Sequence, residues 1–172
     1  MAFGDTGLKV FGLREVKLVG AASSVSLNAA QTLTFKERVK GGELSGNDKT
    51  LSVASASDAV EWELEEGGIS MAAYALMTGR TATLAGTTPD QTVTLNADAN
   101  TSFPYFKIYG RSIGDGTDNV HVKIYKAKLT SGMEGQFADG EFFVTKCSGI
   151  AIDDGSVGIY DIVHNETAAA LP

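Results

Sequence analysis

The chain has 172 residues, 43% hydrophobic and 20% charged, with 21 acids against 14 bases and a formal net charge of −7. That length suffices for one domain, 1–172, burying about 70% of its unfolded surface with no metal or disulfide to hold the core. Cys147 has no partner for an internal bridge, and no apolar run approaches the ~18 residues of a membrane-spanning helix. MAFGDTGLKV lacks the basic and apolar regions of a secretory leader, so a soluble, cytoplasmic protein is expected.

The first strand is predicted over LREVKLVG (13–20). A second, QTLTFKER (31–38), sets Leu33 and Phe35 on one face and Thr32, Thr34 and Lys36 on the other. Then comes KERVKGGELSGNDKT (36–50), in which seven of fifteen residues are charged and three are glycine. That composition predicts a long, flexible charged loop. In TLSVASASDAVEWELEE (50–66), Val60, Trp62 and Leu64 alternate with Glu61, Glu63 and Glu65, a clear period of two.

The period changes in GGISMAAYALMTGRT (67–81), where Ile69, Ala72, Ala73, Leu76 and Met77 mark one face of a short helix, about 69–79. Ser70 suits its N-cap, Gly79 a left-handed C-cap, and Arg80 the negative end of its dipole. Strands resume at QTVTLNA (91–97), YFKIYGRS (105–112) and NVHVKIYKAKL (119–129), the last two joined by a turn at IGDGTD. EGQFADGEFFVTKCSGIAI (134–152), with a break near Asp139–Gly140, and SVGIYDIVHN (156–165) complete the set. The fold class expected is mainly β: an antiparallel sandwich or half-barrel with one flanking helix.

No constellation for catalysis, cofactor or metal emerges. His121 and His164 are 43 residues apart, without zinc-ligand spacing or a nucleophile motif, and fit ordinary surface or interface positions. Cys147 fits a small buried side chain. GDGTDN (114–119) and IDDGSV (152–157) lack the full calcium-loop register and fit Asp–Gly turns. Trp62, on the apolar side of its strand, fits the core, which weighs against a carbohydrate-binding sandwich. No glycine-rich loop joins a strand to a helix, so no nucleotide site is indicated.

Charge is uneven: residues 101–130 carry five bases against two acids, and residues 131–172 seven acids against one base. Lys107, Arg111, Lys123, Lys126 and Lys128 lie among aromatics in the basic stretch. The pattern fits pairing with the acidic C-terminal third, within a sheet or between subunits, better than a nucleic-acid platform. Three like charges at Glu61, Glu63 and Glu65 fit a solvated face, or the lining of something that must not hold nucleic acid.

The order of elements, with YALMTGRT (74–81) leaving the helix and KIYKAKLTSGMEGQFADGEFFVTKCSG (123–149) near the end, resembles the major tail tube proteins of long-tailed, non-contractile bacteriophages. The likeness runs from about residue 10 to residue 167. It implies a virion tail protein, assembled in the host bacterial cytoplasm, whose hexameric rings stack into a tube that conducts DNA during ejection. Implied partners are further copies of the chain, a tape-measure protein, and tail terminator and tail-tip proteins. DNA would pass without specific binding, and no membrane insertion is implied. Lys36, Glu37, Arg38, Lys40, Gly41, Gly42, Glu43, Gly46, Asp48 and Lys49 would then form an arm from ring to ring. Glu61, Glu63 and Glu65 are lumen-lining candidates, with Asp153 and Asp161 behind them. The alternatives are a type VI-like secretion tube subunit and a single-ring tail-completion protein.

Overall fold

Strand alternation shapes most of the chain, and the computed structural model describes residues 10–68, 70–99, 101–113 and 118–172. Within them run β1 (Phe11–Val19), β2 (Ser24–Leu27), β3 (Ala30–Gly46), β4 (Lys49–Gly67), α1 (Met71–Thr78), β5 (Ala82–Ala85), β6 (Thr92–Leu95), β7 (Phe106–Ile113), β8 (Asn119–Leu129), β9 (Val144–Ala151) and β10 (Tyr160–Asn165). The main sheet has the order β2-β1-β7-β8-β9-β4-β3, with β10 added on β8, while β5 and β6 form a separate hairpin. The pairings are antiparallel.

β8 is the strand on which the sheet divides. Its residues 119–124 pair with β10 and its residues 127–129 with β9, so β9 and β10 follow one another along the same edge. The β9-β4-β3 leaf folds over the leaf of β1, β7 and β8. Trp62 of β4 meets Phe106 of β7 edge-on at 5.7 Å, and Phe35 of β3 meets Tyr160 of β10 at 5.7 Å. The hydrogen-bonded ladder does not close into a barrel, because β2 and β3 remain its two ends. The mainly-β, antiparallel half-barrel is thus observed.

Between the leaves, Val16, Leu18, Val60, Trp62, Ile108, Ile124, Ala127 and Ala151 are all but fully buried. Burial of such side chains contributes about 1.5–3 kcal/mol each relative to exposure. Gly149 of β9 is needed here: a Cβ would fall 2.0 Å from the Lys128 carbonyl oxygen and 2.6 Å from Trp62 Cζ2. α1 covers one end of the core with Ala73 and Met77. Its caps are those expected, with the Ala73 amide donating to Ser70 Oγ at 3.3 Å and Gly79 at φ 71°. Residue 69 lies outside the described residues.

The structure departs from the sequence expectations in four places. The flexible loop expected at 36–50 is strand: residues up to Gly46 belong to β3, Asn47 and Asp48 turn, and Lys49 opens β4. Its polar composition is compatible with pairing because each backbone group finds its partner across the hairpin. The strand expected over 134–152 contracts to 144–151, and 135–143 is irregular. β2 and β5 were not expected, since four-residue strands are too short for periodicity to show. His121, expected at a surface or interface, is buried beneath the end of the chain. The turn expected at IGDGTD lies largely outside the described residues, at 114–117.

Candidate functional site

The main exposed structural feature is the far half of the β3–β4 hairpin. β9 ends opposite Val60, so towards the tip, among the described residues, β4 pairs only with β3. The two strands continue as a ribbon, from the Val39–Ser57 pair to the Gly46–Lys49 pair. At the usual strand rise this ribbon extends roughly 25–30 Å. Its tip is a two-residue turn with Asn47 at φ 51° and Asp48 at φ 61°, the left-handed pair that matches strand twist. Val39, Leu44, Leu51 and Val53 are 56–69% exposed along it. A two-stranded ribbon with no third strand is marginal in water by itself.

At the ribbon's base the register shifts between Arg38 and Val39, leaving Asp58 unpaired in the ladder. Arg38 Nε and Nη2 donate to its two carboxylate oxygens at 3.0 and 2.9 Å, and Lys40 Nζ stands 2.8 Å away. The hydrogen bond from Arg38, then that from Lys40, lowers the Asp58 carboxyl to about 2. Of the predicted arm residues, Lys36, Glu37 and Arg38 lie opposite Glu61, Val60 and Ala59 within the body of the sheet. Lys40, Gly41, Gly42, Glu43 and Gly46 lie in the ribbon, Asp48 at its tip, and Lys49 at the start of the return strand.

Glu61, Glu63 and Glu65 share the outer face of β4, but not as a bare acidic surface. Lys36, Thr34 and Thr32 stand opposite them on β3, and Ile150, Ser148 and Lys146 on β9. Lys146 Nζ pairs with Glu65, which with a second hydrogen bond from Thr32 holds that carboxyl below its ordinary range. Glu61 and Glu63 are exposed. Asp161 lies elsewhere, opposite Lys123 on β8, where it accepts from Tyr125 Oη and raises that phenol to about 12. Asp153 accepts from the Gly155 amide at 2.7 Å in the turn after β9. The five acids therefore occupy three places.

The end of the chain crosses the outer face of the other leaf. The Ala169 carbonyl accepts from Arg111 Nη1 at 3.1 Å, Asn119 Nδ2 at 2.8 Å and His121 Nε2 at 3.2 Å. Lys17 Nζ donates to the Pro172 carbonyl at 2.6 Å. This strap buries His121 to 3% exposure, and desolvation pushes its imidazole pKa down. Arg111, expected to serve the acidic C-terminal third, pairs instead with Glu15 of β1 while also holding the strap.

The fold as a whole has counterparts among solved structures of the anti-feeding prophage. The chain superposes over 98% of its length on all of a chain in the cryo-EM structure of the anti-feeding prophage cap (AFP tube terminating cap), with a TM-score of 0.54 and 13% identity. Over 92% of its length it matches 97% of a chain in the 6-fold symmetrised anti-feeding prophage baseplate, with a TM-score of 0.51 and 7% identity. At such identities the likeness is one of fold. No protein-family model and no curated protein sequence matches the chain.

Cys147 and His164 make structural contacts. The Cys147 thiol is buried, 3.8 Å from the Leu64 carbonyl, and burial pushes it up to about 12, which keeps it protonated. His164 Nε2 lies 2.9 Å from Asp118. Trp62, 1% exposed, offers no platform to a sugar. Among the described residues no group of three or more His, Cys, Asp or Glu could hold a metal ion, and no helix is long and apolar enough to cross a membrane.

Proposed function

We propose that this chain is a structural subunit of a phage-tail-like particle, associating with its own copies as stacked hexameric rings that form a tail tube. The observation that carries this reading is the end-to-end fold likeness to a tube terminating cap chain. The exposed ribbon supports it, because unpaired apolar side chains on a two-stranded hairpin suit a contact completed by a neighbouring ring. In this reading the tube conducts DNA and holds a tape-measure protein beforehand, with terminator and tail-tip proteins at its ends. The Glu61–Glu63–Glu65 face lines the lumen, and Lys36 and Lys146 moderate its charge rather than reverse it.

A second reading has its own support: the cap likeness favours a subunit that closes as a single ring and ends a tube. Negative-stain microscopy of the purified protein across a concentration series separates the two, tubes indicating the first and single rings the second. Removal of Gly41–Lys49 is expected to leave a folded monomer that builds no tubes. Tubes from the shortened protein would remove the ribbon from the assembly. Particles of monomer size at every concentration would count against both readings.

A further inference from the structure

Two surface patches away from the ribbon are chemically matched and lie on opposite flanks of α1. The first is the loop between β8 and β9. Its ends are fixed, Glu134 and Lys146 exchanging two backbone hydrogen bonds of 2.9 Å and the Gly68 amide donating to the Phe143 carbonyl at 2.8 Å. On this anchored loop Phe137 is 83% and Phe142 97% exposed, Phe137 lies against Phe143 with ring centres 4.4 Å apart, and Glu134, Asp139 and Glu141 are exposed on the same loop. Among the described residues none of the three acids has a cation within 4.0 Å. Single exposed apolar residues are ordinary; two exposed phenylalanines on one anchored acidic loop, with Lys146 beside Glu134 and Glu141 at its base, make a contact surface suited to a cationic, apolar partner.

The second patch is a groove between the β1–β2 turn and α1. Its floor is small and apolar, with Ala22, Ala72, Ala75 and Leu76, and Tyr105 stands at one end, 46% exposed. Lys126 and Lys128 place their ammonium groups 5.4 and 5.1 Å from the Tyr105 ring centre. Among the described residues neither lysine has an acidic partner within 4.0 Å, on a chain whose net charge is −7. Met133 and Thr145, at either side of the phenylalanine loop, border α1 at Ala73, Tyr74 and Met77. The groove takes the reverse side of the helix, which sets loop and groove apart on one molecule.

We propose that the Phe137/Phe142 loop of one copy seats in the Tyr105 groove of a second copy, with Asp139 and Glu141 facing Lys126 and Lys128. The inference rests on the self-assembly reading and assigns its lateral contact. Each copy offers one loop and one groove, so the contact is head-to-tail, the kind that forms a ring when the rotation between copies closes, and it leaves the ribbon for stacking. Opposite charges at the rim fix register and steer encounter, while the two aromatic rings supply the buried centre.

The test uses two surface variants of the full chain, F137S/F142S and K126E/K128E, each checked for native circular dichroism and followed by sedimentation velocity. Each variant alone is expected to need at least about tenfold more protein than wild type to associate. A 1:1 mixture restores one intact loop–groove contact and is expected to give a heterodimer that grows no further. If both variants assemble like wild type, or the mixture stays monomeric while wild type forms rings or tubes, this contact is overturned and the assembly reading stands. If wild type is itself monomeric at every concentration, both fall.

Discussion

The same two strands behave differently at their two ends. Where β4 lies between β3 and β9, Val60, Trp62 and Leu64 are 0–2% exposed; a few residues towards the tip, Leu51 and Val53 are 66–69% exposed. Backbone pairing to β3 is continuous along both stretches apart from the bulges, so hydrogen bonding does not explain the contrast. What changes is the presence of a third strand and a facing leaf. The comparison shows that pairing alone makes a ribbon, whereas stability comes from the apolar layer that only the body possesses.

The sharpest way to break this comparison is at Trp62. Trp62→Ala is expected to cost about 3–5 kcal/mol in urea unfolding, because it empties the contact between the leaves. A loss below about 1 kcal/mol would mean that the leaves are not held as described. Next, Gly149→Ala puts a methyl group into the Lys128 carbonyl and the Trp62 ring, with an expected cost of about 1–3 kcal/mol in the same measurement.

Asp58 sits where body becomes ribbon. Its folded pKa, about 2, lies below the ordinary carboxyl value, so its contribution is present above roughly pH 4 and lost as the pH falls towards 2. Hydrogen-exchange protection at the ribbon's base, taken relative to the intrinsic rate at each pH, is therefore expected to fall over that acid range in the wild type. Asp58→Asn should show the lower protection already at pH 7 and little further loss of protection on acidification. An identical pH profile in the two proteins would sever Asp58 from the ribbon's attachment. The smallest effect is expected from Leu51→Ser with Val53→Ser, within about 0.5 kcal/mol of wild type in the monomer. A larger loss would show that the ribbon packs on its own body.

Much of the body was legible because burial imposes periods. The Val60–Trp62–Leu64 alternation, the buried pair Ala73 and Met77 of α1 and the capping pair Ser70 and Gly79 each leave a local trace, whereas Ala72, expected on the buried face of α1, is exposed. The ribbon was misjudged because glycine and charge are the usual marks of a loop. The sign of a hairpin was nonetheless there in Asn47–Asp48, two residue types that tolerate positive φ, between two long segments that pair as strands. The burial of His121 left no trace at all, since the acceptor that covers it is the backbone carbonyl of Ala169, which any residue could supply. Likewise the Asp58 clamp depends on a bulge, and the lysines at Tyr105 on a strand pairing, neither visible in residue order.

By itself, then, the sequence determined which side chains must leave water: an alternating set on strands, a 3.6-residue set on one helix, and Cys147 and Trp62 among them. Tertiary structure decided which polar groups meet, where β9 stops, and hence where a paired hairpin ceases to be core and becomes an exposed ribbon. The reason is range. Periodicity is fixed by the local geometry of the backbone, whereas the partner of a charge or an edge is set by strands far apart in the chain.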